Sequence, residues 1–515
     1  MHKSDKTLGS ALIERAPRRH ASHIMGALGA LCCLLAVALA LRLLGLGERS
    51  LWFDEIMSVQ FARSDWYSFV KKVSNREGNM VLYYCILRVW MHLGDSEVVI
   101  RSLSVVFSLT TIAALYALGA QLFSRRTGFF AALLMSLNAF DIRYAQEARS
   151  YSLLVLLITL ASLYWVKAVD GSGDQAWRRY CAAASASVYS HFFAGLVLIA
   201  HGLSLLFIRR HPLSWQRLQR TAGVLALVTL PVAVFAVTRD KGQLEWIAPS
   251  PPSAIWTLFA HLAGGTALMA GIYGILGLYA VGTTWLPPLS TRLPDQQPDR
   301  WHLAMVLVWL VAPIALTWTA SLFKPMFLDR YLIICLPALV LLAAVGLARI
   351  ESHAVLTVVV IGIALATGHS LTHYYRYGMP GATAEDWRGV TRYVMSNAGA
   401  GDAIVLYPGW IQAAFAYYQP DLAESGPVTM PSASEWSGGG SREATGDGPT
   451  RRYENVWVIL NASSANSARY AAEWHHIQKA LADSYAEPAT RDFIGLQVLR
   501  FTGPNERMKA AEARP

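Results

Sequence analysis

Charge is scarce in this chain. Only 15% of its 515 residues are Asp, Glu, Lys or Arg, against about 25% in an average soluble protein. A water-soluble fold of this length would lack the polar side chains to cover its surface. The formal net charge of +10 does not point to nucleic acid, because Lys and Arg lie between apolar segments and not along one amphipathic face. Cysteine is sparse as well. Cys32, Cys33, Cys181 and Cys335 sit inside apolar runs and Cys85 in an aromatic-rich stretch; their spacing fits no metal motif and implies no disulfide. No internal repeat is visible, which argues against the paired halves common in transporters.

What the chain has in abundance is apolar length. Hydrophobic residues make up 54% of it, and runs such as Ile24–Leu46, Ser102–Phe123 and Thr221–Val237 approach the length of a bilayer core. Basic clusters at Arg15/Arg18/Arg19, Arg125/Arg126, Arg178/Arg179, Arg209/Arg210, Arg292/Arg300 and Arg349 all fall on one side if the chain crosses the membrane about eleven times with its N-terminus cytoplasmic. The spans predicted on this basis are 24–46, 100–123, 127–140, 151–169, 180–190, 191–208, 221–238, 264–286, 301–321, 331–349 and 354–371. The fold class expected is an α-helical polytopic membrane protein with a small C-terminal α/β soluble domain. Residues 1–23 form a cytoplasmic segment, and 24–371 a transmembrane domain with outer loops 47–99, 141–150, 239–263 and 322–330. Residues 372–515 form an extracytoplasmic domain, in which strand-length runs at 403–407, 456–460 and 496–501 alternate with helical patterns at 384–396 and 467–485. The Gly/Ser/Pro-rich stretch 424–450 reads as a flexible loop.

The outward segments hold the polar residues that suggest chemistry. Asp54 and Glu55 follow the first span directly, and two adjacent carboxylates at a membrane surface are costly unless solvated, paired or used. Between the third and fourth spans, Asp141, Arg143, Tyr144, Glu147, Arg149 and Tyr151 crowd one turn, where arginines suit bidentate phosphate binding. Lys324, Asp329, Arg330 and Tyr331 stand at an outer end where the positive-inside pattern expects few cations, so an anion such as a lipid phosphate would compensate them. Glu77, Asn79, Arg101 and His191 complete the set. Trp52, Trp66, Tyr83, Tyr84 and Trp246 suit interface anchoring or stacking on sugar rings.

In the order and spacing of four of these features, residues 40 to about 350 resemble the GT-C superfamily of membrane glycosyltransferases. Within it the resemblance is to the branch of protein O-mannosyltransferases and lipid A aminoarabinose transferases. The features are Trp52-x-Asp54-Glu55, Leu82-Tyr83-Tyr84 followed by Arg101, Gln146-Glu147-Ala148-Arg149-Ser150-Tyr151, and Pro325 with Arg330-Tyr331. The chain departs from the family where Asn79-Met80-Val81 replaces a His-Pro-Pro or Lys-Pro-Pro run. Metal or acceptor contacts that members make there do not carry over.

The resemblance implies a glycosyltransferase that takes its sugar from a polyprenyl-phosphate donor and passes it to a lipid, glycan or protein acceptor. Asp54 matches the family's catalytic acid and is expected to act as general base in an inverting displacement, with Glu55 beside it. Arg149, Lys324, Arg330 and Tyr331 would bind the donor phosphate, supported by Arg101, Tyr151 and Tyr83. Glu147, Glu77 and His191 are the candidates for a divalent metal ion. The expected location is a bacterial inner membrane with the C-terminus periplasmic. A transporter or flippase of lipid-linked sugars is the alternative, which the crowding of polar residues on one face disfavours. The arrangement requires the acids after the first helix and the later arginines to meet in one pocket.

Overall fold

The computed structural model describes residues 29–75, 78–208, 214–239, 247–285, 300–378, 384–419, 453–461, 464 and 470–503. The chain divides into two compact units. The first comprises residues 1–46 and 64–380, and the second residues 47–63 and 381–515.

The first unit is helical. Among the described residues, six helices are long and apolar enough to cross a membrane: α5 (Glu97–Leu122), α8 (Tyr151–Val169), α11 (Trp215–Arg239), α13 (Ala267–Trp285), α14 (Arg300–Ser321) and α16 (His353–Tyr377). Shorter apolar helices include α1 (Gly29–Leu43), α4 (Val81–Trp90), α10 (Ala194–Ser204) and α15 (Leu336–Ala348). Between them run α3 (Trp66–Asn75), α6 (Arg125–Ser136), α7 (Ala139–Ala145), α9 (Asp174–Ser190) and α12 (Ala254–Leu262). Helix α8 packs against α5 and α9, and α15 against α6 and α13. Glycine permits two of the closest approaches: a Cβ on Gly128 would strike the Tyr116 carbonyl of α5, and one on Gly346 the Leu276 carbonyl of α13. Small residues let helix backbones approach where lipid supplies no hydrophobic drive.

Two breaks shape the functional region. The predicted third span, 127–140, is not continuous: α6 ends at Ser136, and Asn138 caps α7 by accepting from the Phe140 and Asp141 amides, each at 3.0 Å. An N-cap side chain satisfies amides that an uninterrupted helix would bond internally. The split predicted within 180–208 falls at His191–Phe193, between α9 and α10.

The second unit is built on a four-stranded sheet ordered β1-β2-β4-β3, with β1 (Ala403–Tyr407) parallel to β2 (Asn455–Leu460). Both β2 and β3 (Ala489–Phe493) pair antiparallel with β4 (Leu496–Thr502). Among the described residues, helices α17 (Trp387–Asn397), α18 (Gln412–Tyr418) and α19 (Ala471–Ser484) accompany the sheet. Val405, Val458, Phe501, Ile477 and Leu481 join one buried core. The predicted loop 424–450 lies outside the described residues.

The same unit contains α2 (Phe53–Arg63). Its Gln60 side chain donates to the Ala413 carbonyl at 3.2 Å, the Phe53 ring meets Trp410 edge-on at 4.5 Å, and the Arg63 guanidinium sits 5.5 Å from the centre of the Tyr417 ring. The segment after the first span is thus structurally part of the tail.

Candidate functional site

In the first unit, the helix break at His191 gathers residues distant in sequence. Asn79 accepts from the Phe192 amide at 2.9 Å and anchors the turn. The His191 ring lies 5.2 Å from that of Tyr331 and 6.0 Å from that of Tyr151, while Tyr151 stands 5.0 Å from Tyr144. Phe193 closes against Tyr331 at 5.0 Å, and the Arg330 guanidinium is 5.6 Å from the Tyr331 ring centre.

His191 is buried. Burial first, and then the charges of Arg149 and Arg330, push its pKa down to about 3, so the ring is neutral at ordinary pH. Its Nδ1 accepts from the Phe193 amide at 3.2 Å. A neutral imidazole carries one proton, so this contact places the proton on Nε2. That Nε2 has no hydrogen-bond partner among the described residues. The turn therefore holds a buried donor under the influence of two cations, in an aromatic surround. Such a set suits an anion that brings acceptor oxygens.

Arg149 sits just before α8, its amide donating to the Glu147 carbonyl at 2.9 Å. Its carbonyl lies 3.5 Å from the Ser104 hydroxyl, which is itself 3.5 Å from the Tyr83 hydroxyl. Arg101 is buried and donates to the Leu46 carbonyl at 3.0 Å. Lys324 follows the end of α14 and is exposed.

Other residues of the Asp141–Tyr151 turn are committed elsewhere. Asp141 binds Arg42 of α1 at 2.6 Å, with Ser108 donating to the same oxygen at 2.5 Å. Glu147 pairs with Arg143 at 3.3 Å. His261, on α12, meets Asp329 at 2.9 Å and stacks on Phe140 at 6.1 Å. Against the upward push of burial, the His261 hydrogen bond and the Arg143 charge hold the Asp329 carboxyl below its usual range.

These contacts bear on the expected metal ion. Glu77 lies outside the described residues, Glu147 is engaged by Arg143, and His191 faces the charges of two arginines. Among the described residues, no group of three or more His, Cys, Asp or Glu gathers that could hold a metal. Among the described residues, these contacts do not make a cation cage.

In the second unit, Asp54 and Glu55 occupy the first turn of α2. Asp54 is half-buried. Glu55 is fully buried and accepts from the Trp52 amide at 3.2 Å. Glu385, which sequence reasoning did not single out, accepts from the Phe53 amide at 2.9 Å. Nothing in the local sequence signals it, because its partner lies 332 positions away.

Comparison with known proteins agrees with this architecture. Residues 80–236 match the family described as dolichyl-phosphate-mannose-protein mannosyltransferase. The chain is similar in structure to ArnT from Cupriavidus metallidurans in the apo state, with a TM-score of 0.58 at 15% identity, over 93% of this chain and 100% of that one. The same protein bound to undecaprenyl phosphate gives 0.58 at 14% identity, over 93% and 99%. The apo oligosaccharyltransferase of Archaeoglobus fulgidus gives 0.53 at 11%, over 90% of this chain and 73% of that one. No curated protein sequence matches. The fold is of the GT-C type, and the chain resembles ArnT and the protein mannosyltransferases.

Proposed function

We propose that the protein transfers a sugar from a polyprenyl-phosphate carrier to an acceptor hydroxyl at the extracytoplasmic face of a bacterial inner membrane, with inversion at the anomeric carbon. The observation that carries the reading is the buried Nε2 donor of His191, acted on by the charges of Arg149 and Arg330. A ligand without acceptor atoms leaves that donor unmet, whereas a phosphate offers oxygens to it and negative charge to its cationic surround. The similarity to ArnT in its undecaprenyl-phosphate-bound form supports the same choice of ligand.

In this mechanism Asp54 takes the proton of the acceptor hydroxyl as its oxygen attacks the anomeric carbon. The bond from that carbon to the phosphate oxygen breaks, and the carrier leaves as a phosphate monoester. Negative charge grows on the leaving phosphate, and Arg149, Arg330 and Lys324 stabilise it electrostatically. Tyr331 and Tyr151 frame the phosphate site, and Tyr83 and Arg101 support the helices around it. Glu55 holds the turn that carries Asp54. Fixed cations and a neutral donor supply the stabilisation in this step.

The decisive experiment incubates purified protein with a radiolabelled polyprenyl-phosphate sugar and membrane acceptors, and measures release of the carrier. Asp54→Asn is expected to abolish release while retaining carrier binding. Near-normal turnover by that variant would remove Asp54 from the role of base.

A further inference from the structure

The first turn of α2 has an unusual way of satisfying its backbone. The opening amides of a helix have no partner within it and are ordinarily met by a Ser, Thr, Asp or Asn just before the first turn. Here Trp52 occupies that place. Three amides at the entrance to this turn, two just before the helix and that of its first residue, are met by side chains. Leu51 donates to the Tyr418 hydroxyl at 2.7 Å, Trp52 to Glu55 at 3.2 Å, and Phe53 to the Glu385 carboxylate at 2.9 Å.

Glu385 is itself held firmly. The oxygen that receives Phe53 also accepts from the Trp387 indole at 2.7 Å, and the other accepts from Asn461 at 2.9 Å. Its carbonyl accepts from the Ser50 hydroxyl at 2.7 Å, and the neighbouring Asp386 amide donates to the Ile494 carbonyl at 2.9 Å. One residue thereby grips the entering chain at Ser50 and at Phe53, immediately before Asp54.

We propose that Glu385 and Tyr418 are positioning residues, which fix the first turn of α2 and so hold Asp54 in its working orientation. The inference rests on the reading of Asp54 as the base. It assigns the soluble tail a part in the reaction, since the tail sets the geometry of a catalytic group 331 positions earlier. Burial, together with the nearby charge of Asp54, raises the pKa of Glu385, which agrees with the two carboxyl groups being electrostatic neighbours.

Amide-resolved hydrogen exchange on the full-length protein tests this, with undecaprenyl phosphate as the binding probe. In Glu385→Ala the amides of Phe53, Asp54 and Glu55 should exchange roughly tenfold faster or more, as expected for losing a hydrogen bond to a charged acceptor. Amides of β1 and β2 should keep their protection, and affinity for undecaprenyl phosphate should stay within about twofold, because this change leaves the phosphate-binding groups intact. Glu385→Gln retains an acceptor oxygen and should restore near-normal exchange. Unchanged exchange in Glu385→Ala would overturn the proposal. If that variant instead loosens the whole sheet, Tyr418→Phe decides: faster exchange confined to Leu51 and the first turn of α2 supports it, and no change overturns it. Failure of the wild type to bind undecaprenyl phosphate would sink the carrier reading alone.

Discussion

Arg42 and Asp141 form an ion pair with almost no solvent exposure, joining α1 to α7 at 2.6 Å. The arginine is fully committed: it donates to Ser108 at 2.7 Å and to the carbonyls of Ala38 and Ser136 at 3.0 and 3.1 Å. Removing one member of a buried pair strands the other, at a cost of about 3–5 kcal/mol, whereas replacing both by apolar groups can be nearly neutral. Arg42→Met is therefore expected to lower the thermal stability of the detergent-solubilised protein markedly, and Arg42→Met with Asp141→Leu to recover most of it. Equal losses in the single and double variants would show that the pair contributes something other than mutual neutralisation.

Arg330→Ala and Arg149→Ala should each weaken binding of undecaprenyl phosphate by roughly ten- to hundredfold, the range expected for a hydrogen bond to a charged group. Acceptor affinity should change less. Titration of each variant with undecaprenyl phosphate checks the first point, and a larger loss of acceptor than of carrier affinity would count against the phosphate assignment.

Glu55→Gln and Asp54→Asn should separate two adjacent carboxylates by role. Glu55 is buried against the Trp52 amide, and a glutamine oxygen can accept that bond, so Glu55→Gln should keep a substantial fraction of carrier release. Asp54→Asn loses the basic oxygen and should keep none. Comparable inactivation of both variants would require a chemical role for Glu55 as well.

Much of this organisation was legible because burial writes a pattern into local sequence. The runs at 403–407, 456–460 and 496–501 are strands since each fills one buried core. Strand β3 gave no such signal: Ala-Thr-Arg-Asp-Phe is an edge strand whose residues are mostly exposed, so hydrophobic burial never selected an apolar run there. The break at His191 could be read from the length of the apolar stretch and a polar residue within it. Arg42 escaped notice inside an apolar run, since its partner Asp141 is 99 positions away. His261 and Glu385 escaped for the same reason, because each takes its meaning from a distant partner that only folding supplies. Glu147 and Asp141 drew attention as charged residues in a dense turn, yet composition could not tell which charges neutralise one another.

The depressed pKa of His191 makes a prediction about pH. In the unfolded chain a histidine titrates near 6.5, and in the folded protein His191 does so at about 3. Between these values the unfolded state binds the extra proton, so acid favours unfolding and the native state gains stability as pH rises. The contribution of His191 is fully present above about pH 6.5 and is lost as pH falls toward 3. His191→Phe, which keeps an aromatic ring against Tyr331 and Tyr151, should flatten that part of the stability profile between about pH 4 and 6.5. The same substitution removes the Nε2 donor and should weaken undecaprenyl phosphate binding by roughly tenfold at pH 7. A variant that flattens the acid profile but binds the carrier as tightly as wild type would leave His191 a packing residue. The phosphate reading would then have to stand on the arginines alone.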